Sequence, residues 1–222
     1  MSNVPAGSVS RKKSWRQWVL WGLQLVVPRR YLLVRGDIRS RNVYLTFDDG
    51  PDPETTPRVL EVLSRHGAKA TFFVIGARAT EHPDLVRRIA DQGHTVGNHS
   101  FYHRPPADVT SRQLMEELGE TQAVLQGIPG CRNRLVRPPF GALTAGKLLR
   151  LWTAGWTIVL WNQDPKDFAA SSVEPLSAWF RAHPPKGGDI ILLHDTAAFT
   201  SPLLEELVPR VQDSGLVLAP LA

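Results

Sequence analysis

The sequence predicts an α/β fold: a single domain over residues 42–222 with parallel strands closed into an irregular (β/α)7 barrel, preceded by a short helical leader over residues 1–41. Three observations predict it. Seven short β-rich runs alternate with stretches of helical period, the order that gives parallel strands joined by crossover helices. With 222 residues, 42% of them hydrophobic, the chain can bury one sizeable core and is short for two ordinary domains. Chemically reactive side chains stand at or just past the C-terminal ends of several different runs. Residues from that many strands converge most simply on the upper rim of a barrel, whereas an open doubly wound sheet gathers its ligands at one switch point.

The leader comes first. Arg11-Lys12-Lys13 precedes an apolar run from Trp15 to Val27 that includes Trp18 and Trp21, and Pro28-Arg29-Arg30 follows. Wound as a helix, this run is apolar in almost every direction, with Gln17 and Gln24 sharing one narrow polar stripe. Its length of about 20 Å falls short of the roughly 30 Å hydrocarbon core, so it is not expected to span a bilayer. Tryptophan beside Lys and Arg suits peripheral contact with anionic lipid through residues 11–30. A helix packed on the outside of the domain and an uncleaved signal peptide are the other readings, although Pro28-Arg29-Arg30 stands where small residues would mark a cleavage site. A bacterial-type cytoplasmic or membrane-associated location is the expectation.

Charge placement excludes a nucleic-acid enzyme. Residues 1–41 carry nine Lys/Arg against the single acid Asp37, a balance of +8, whereas residues 42–222 carry 17 against 20, a balance of −3. A nucleic-acid enzyme keeps its basic surface beside its site; here the domain itself is slightly acidic. The lone Cys131 excludes an internal disulfide and a zinc ribbon.

Along the domain the β-like runs are 43–47, 70–75, 95–98, 135–137, 157–161, 189–193 and 216–219. Helical patterns fall between them at 56–66, 83–92, 111–126, 144–154, 173–182 and 203–214. Thr56 before Pro57, Thr110 or Ser111 before a Glu-rich turn, and Ser172 with Glu174 and Pro175 read as helix starts.

Two clusters carry chemistry. Thr46-Phe47-Asp48-Asp49-Gly50-Pro51 sets two carboxylates side by side where the first run ends, and neighbours in an extended segment face opposite ways, so the two acids can serve different partners. Taken alone, the Asp-Gly-Pro turn fits an Asx turn or helix cap equally well. His99-Ser100-Phe101-Tyr102-His103 places two imidazoles four apart, which a helical turn or tight loop can direct at one cation. Two imidazoles and one carboxylate make three ligands of a hydrolytic metal site and leave positions open for water and substrate.

With these segments the chain resembles the NodB-homology polysaccharide deacetylases, carbohydrate esterase family four. Thr46 to Pro51 and His99 to His103 match that family's first two motifs. Arg137-Pro138-Pro139-Phe140-Gly141, Asp164-Pro165-Lys166-Asp167-Phe168 and Leu192-Leu193-His194 are similar to the other three, in the family's order. The resemblance implies metal-dependent removal of an N-acetyl group from an amino sugar in a glycan, oligosaccharide or lipid-linked sugar, with an O-acetyl polysaccharide esterase and a silent carbohydrate-binding protein as alternatives. It implies that Asp49, His99 and His103 hold a divalent metal, zinc first and cobalt, nickel or manganese after it. Asp48 is then the general base, oriented by Arg137, and His194 the general acid, held by Asp167. Tyr102, Pro139, Phe140, Trp161 and Leu192 are the expected substrate contacts: Tyr102 and Phe140 by stacking on a sugar ring, Trp161 and Leu192 as lining of an acetyl pocket or core. The backbone N–H of His103 or Arg104 is a candidate oxyanion donor. The family commonly has Trp where Phe168 stands, so Phe168 keeps an apolar wall but lacks the indole N–H. His66, His82, His94 and His183 read as solvated or cap-like.

Overall fold

The computed structural model describes residue 22 and residues 27–222. The leader segment 11–26 therefore lies outside the described residues, apart from residue 22. Among the described residues no helix is long and apolar enough to cross a membrane.

The strands are β1 (Leu32–Leu33), β2 (Asn42–Asp48), β3 (Thr71–Val74), β4 (Thr95–Asn98), β5 (Leu135–Val136), β6 (Thr157–Val159), β7 (Ile190–His194) and β8 (Val217–Leu218). The α-helices are α1 (Thr56–Arg65), α2 (Gly76–Glu81), α3 (Pro83–Asp91), α4 (Ser111–Gln126), α5 (Ala145–Thr153), α6 (Val173–Ala182) and α7 (Thr200–Asp213). All strand pairings are parallel, in the order β1-β6-β5-β4-β3-β2-β7. Where the chain runs past β6, Gln163 bridges Ile191 and its carbonyl accepts from the Leu192 N–H at 2.9 Å. The ring is thus completed by one bridge rather than by a full strand pair, which makes the barrel irregular. Asp189 secures the seam, taking Asn162 Nδ2 at 2.8 Å, Gln163 Nε2 at 2.5 Å and Arg35 at 2.7 Å.

Seven strands do line the ring, but their membership differs from the sequence reading. The run at 216–219 shortens to β8, which pairs only with the start of β2. Its expected place is taken by β1, from the segment assigned to the leader. Tyr31-Leu32-Leu33-Val34 is a short apolar run hidden among arginines, and Leu32 and Val34 are buried in one core with Leu151, Trp156 and Ile158. Burying two such side chains is worth about 3–6 kcal/mol. Deleting residues 1–41, which removes β1, is therefore expected to lower the urea midpoint strongly.

Strand alternation divides the side chains into two sets. Val43, Leu45 and Phe47 of β2 face outward and pack with Leu60 and Leu63 of α1, Ile89 of α3 and Leu204 of α7. Inside, Phe73, Leu135, Val159, Ile190 and Leu221 fill the barrel with Tyr44 against them. Leu221 closes the bottom: its N–H donates to Thr71 Oγ1 at 2.9 Å and its carbonyl accepts from Thr95 Oγ1 at 2.7 Å. The same alternation aims Thr46 and Asp48 inward, toward the top.

Helix starts are partly as expected. Thr110 caps α4 through a reciprocal box with Gln113, and Thr144 caps α5 by accepting from the Lys147 N–H at 3.2 Å. Ser172 makes no side-chain cap bond, and at α1 the N-cap residue is Thr55, one earlier than expected. Helix α2, which has neither a cap bond nor a long apolar stripe, is an addition to the sequence reading.

Candidate active site

The two adjacent carboxylates lie at the end of β2. Asp48 is its last residue and is buried inside the barrel. At Asp49 the backbone turns left-handed, with φ 75°, and the following Gly50–Pro51 bond is cis. This turn modifies the alternation expected from the sequence: both acids reach one imidazole, with Asp48 Oδ2 at 3.5 Å and Asp49 Oδ1 at 3.4 Å from His99 Nε2. They still have different principal partners, because Asp48 Oδ1 takes Arg137 Nη1 at 2.7 Å while Asp49 Oδ1 also lies 3.3 Å from His103 Nε2.

The histidines sit on a tight loop after β4, not on a helical turn. Ser100 and His103 both have positive φ, 65° and 52°, and the loop's own hydrogen bonds hold them there: the Ser100 N–H donates to Asn98 Oδ1 and the His103 N–H to Ser100 Oγ. The His103 N–H is thereby engaged, which removes it as an oxyanion donor. His99 Nδ1 lies 2.6 Å from the carbonyl oxygen of Arg137. A carbonyl can only accept, so Nδ1 carries the proton and the Nε2 lone pair points at Asp49.

Asp49, His99 and His103 offer ligand atoms that all lie within 4.8 Å of one another. A tetrahedral ion with bonds of ~2.1 Å separates its ligands by about 3.4 Å, close to the two Asp49–imidazole distances. Asp49 Oδ1 is buried without a hydrogen-bond donor, the state of an oxygen that awaits a cation. Burial opposes ionisation of Asp49, but the neighbouring His99, then the charges of His103 and His194, hold it down to about 2. Burial likewise opposes a charged His99, yet Asp48 and Asp49 raise it, while burial and the neighbouring His99 lower His103. These residues fit a divalent ion.

Asp48 stays outside that triad because Arg137 holds it. The guanidinium is fully buried and donates to Thr46 Oγ1 at 2.8 Å, the Val159 carbonyl at 3.3 Å and the Leu160 carbonyl at 3.2 Å besides Asp48. Phe73 lies under it at 4.3 Å and Trp161 beside it at 5.4 Å. Trp161, expected only as lining, thus contacts a cation.

Across the cleft His194 ends β7 directly opposite Asp48 in the β2–β7 register. Its Nδ1 lies 2.8 Å from Asp167 Oδ1, while Asp167 Oδ2 accepts from the His194 N–H at 2.7 Å and from Thr200 Oγ1 at 2.6 Å. With Nδ1 engaged, Nε2 is the nitrogen available to donate. Burial alone would lower the imidazole, but the Asp167 hydrogen bond and charge, with Asp48 and Asp49 behind them, raise it to about 9. His194 is then protonated at neutral pH and loses its proton as pH rises through that value. Asp167→Asn removes the main raising cause, so the alkaline limb of the rate–pH profile is expected to move to lower pH; a limb that stays in place contradicts the assignment.

The expected substrate contacts take different positions. Phe140, with φ 58°, is 60% exposed and lies against the His103 ring at 4.8 Å, so it stands at the cleft mouth. Tyr102 is exposed beneath the Arg104 guanidinium at 4.7 Å. Pro139 is buried in the short 3-10 turn after β5, and Leu192 is buried two residues before His194. Phe168 packs at a steep angle on the His194 ring, centroids 5.1 Å apart, and is itself exposed.

Two residues play parts that the sequence does not announce. Asp195, the acid directly after His194, is buried, accepts from Thr56 Oγ1 at 2.5 Å, and is pushed up to about 7, chiefly by burial. A Cβ on Gly50 would meet its Oδ2 at 2.1 Å, so Asp195 backs the turn that carries Asp49, and only glycine fits there. Thr56 serves this clasp in place of the helix cap expected of it. His94 is buried rather than solvated: its Nδ1 accepts from the Ala70 N–H at 3.2 Å, and burial, with Lys69 nearby, lowers it to about 4. The signal for Asp195 was an acid directly after a reactive strand end; no local signal marked His94.

Residues 35–159 match the polysaccharide deacetylase family model. The chain is 41% identical over 158 residues to a chitooligosaccharide deacetylase from Rhizobium leguminosarum bv. trifolii, covering 70% of this chain and 72% of that one. It is 32% identical to a peptidoglycan-N-acetylglucosamine deacetylase from Bacillus cereus, covering 81% and 66%. Among solved structures, the peptidoglycan N-acetylglucosamine deacetylase Bc1960 superposes with a TM-score of 0.81 at 30% identity, over 86% of this chain and 91% of that one.

Proposed function

Because the chain belongs to the polysaccharide deacetylase family, we propose that it hydrolyses the N-acetyl group of an N-acetylated amino sugar in a glycan, with zinc as the ion between Asp49, His99 and His103. Two imidazoles and a carboxylate are a donor set of hydrolytic zinc sites. When bound, such an ion polarises the acetyl carbonyl and makes water acidic enough to attack at neutral pH.

The remaining work belongs to the chain. Asp48 accepts the proton of the attacking water, and Arg137 holds this carboxylate aimed inward. His194 Nε2 gives a proton to the departing amine, with Asp167 fixing the tautomer through Nδ1. One observation carries the proposal: a carboxylate held outside the metal triad by Arg137 faces an imidazole held by Asp167 across one strand pair. An amine is a poorer leaving group than an alcohol and needs that proton, which favours the N-acetyl over the O-acetyl substrate.

Mass spectrometry of N-acetylated and O-acetylated oligosaccharides, before and after incubation, tests the reading. The zinc-loaded protein is expected to remove an acetyl group from the N-acetylated sugar, and chelator treatment to stop it. Release from the O-acetylated sugar alone would overturn the N-acetyl assignment.

A further inference from the structure

Parallel strands all begin on one face of a barrel and end on the other, and here the two faces differ in charge. The segments that lead into the strands carry nine Lys/Arg against two acids, Asp37 and Asp189. Those that lead from a strand into the next α-helix, and build the cleft, carry three Lys/Arg against seven acids. The barrel is therefore basic at its bottom and acidic at its mouth.

The basic residues form one patch. Thr157, at the start of β6, donates its N–H to the Arg134 carbonyl at 3.0 Å and its hydroxyl to the Arg30 carbonyl at 2.7 Å. Arg29 donates to the Gly36 carbonyl at 3.4 Å, the Gly36 N–H to the Gly188 carbonyl at 2.7 Å, and the Gly188 N–H to the Asn42 carbonyl at 2.7 Å. These bonds join Arg30 and Arg134 to the segments that carry Lys186, Arg39 and Arg41, and all five residues are exposed. Arginines on the helix flanks are matched by acids: Arg65 by Glu205, Arg112 by Glu116 and Arg181 by Glu174. In the patch, Asp189 matches Arg35, but the exposed guanidiniums have other partners. Arg41 donates to the Gly215 carbonyl at 2.6 Å, and Arg134 donates to the Ala154 carbonyl at 3.1 Å and lies 5.2 Å from the Trp156 ring. Their charge is left for a partner outside the fold.

Apolar tips stand among these charges. Ile38 is 66% exposed between Asp37 and Arg39, and Val217, 49% exposed, donates its N–H to the Arg41 carbonyl at 2.9 Å. The chain also enters at this face. Val27 packs on the core that holds Leu32, and residues 1–26 before it include Arg11-Lys12-Lys13 with Trp15, Trp18 and Trp21.

We propose that the bottom face docks on an anionic lipid bilayer, which turns the metal centre away from the membrane. Lys and Arg answer the headgroup charge, Ile38 and Val217 enter the boundary of the acyl chains, and the acidic mouth is repelled by the same surface. A nucleic acid would answer the charge but has no use for the two apolar tips. The proposal does not depend on the reaction at the cleft.

Co-sedimentation of the full chain with vesicles of phosphatidylcholine, alone or mixed with phosphatidylglycerol, tests it. One variant combines Arg30→Gln, Arg39→Gln, Arg132→Gln and Lys186→Gln, whose side chains make no hydrogen bond or ion pair among the described residues. A control removes the same charge from the helix flanks, as Arg65→Gln, Arg87→Gln, Arg112→Gln and Arg181→Gln. Each basic residue near an anionic surface adds about fivefold to binding. The face variant is therefore expected to lose about 100-fold or more in partition to the mixed vesicles, and the control under about threefold, its charges being held by acids. A polarity-sensitive fluorophore on Ile38→Cys is expected to shift to the blue on the mixed vesicles, and the same label on Phe140→Cys to stay unshifted; Cys131 is buried. Partition of the wild type that ignores the anionic lipid, a face variant that binds like wild type, equal losses in face variant and control, or a shift at Phe140 in place of Ile38 would each overturn the docking. So would tighter binding of the full chain to duplex DNA than to the mixed vesicles at equal salt.

Discussion

Asp48→Asn is expected to keep its divalent ion while acetate release falls by about 10²–10⁴-fold, the range for losing a positioned general base. The substitution keeps shape and an oxygen for Arg137, which also retains Thr46, Val159 and Leu160 as acceptors. The guanidinium therefore stays anchored, and the three metal ligands are untouched. What disappears is the one carboxylate able to accept a proton without releasing the ion. Metal content by elemental analysis, paired with an acetate assay, separates the two effects. Near-wild-type release would show that another group takes the proton.

His99→Ala is expected to lose both ion and turnover. His99 lies closest to the centre of the triad's wiring, since its Nε2 faces both acids and its Nδ1 is fixed on the Arg137 carbonyl. Its removal leaves two ligands, too few for a structured zinc site, and activity is expected to drop by more than ~10⁴-fold, past the effect of losing the base alone. The loss has a second readout. An ion at about 1,000 times its Kd stabilises the folded state by about 4 kcal/mol, so zinc should raise the melting temperature of wild type and of Asp48→Asn but not of His99→Ala. A zinc-dependent rise in His99→Ala would place the ion elsewhere.

Much of this architecture is legible in the sequence, because the information is local. Thr110 with Gln113 spells a capping box, and α4 spans residues 111–126 as its period indicates. The reactive residues fall at strand ends, and parallel strands of one barrel present those ends on one face. What sequence does not show is long-range partnership. Leu32 and Leu33 have no periodicity of their own, and become a strand because the gap between β6 and β7 admits them. The residues at 217–218 look like a further barrel strand, yet by then the ring is full and they serve only the start of β2.

Backbone handedness is equally hidden. Positive φ at Asp49, Ser100, His103 and Phe140 belongs to residues with side chains, where glycine would have announced it. That handedness determines how the adjacent acids of the first motif divide their work. His94 and Asp195 show the same limit from the side of burial: each is polar in the sequence and each is enclosed by segments far from it in the chain.

The central claim is that one ion is gripped by Asp49, His99 and His103 while Asp48 remains free. Anomalous diffraction at the zinc absorption edge, on crystals of the zinc-loaded protein, tests it most directly. The account predicts a single strong peak at roughly 2.0–2.2 Å from Asp49 Oδ1, His99 Nε2 and His103 Nε2, with Asp48 still paired to Arg137. A peak bonded to Asp48, or no peak among the three, would contradict it.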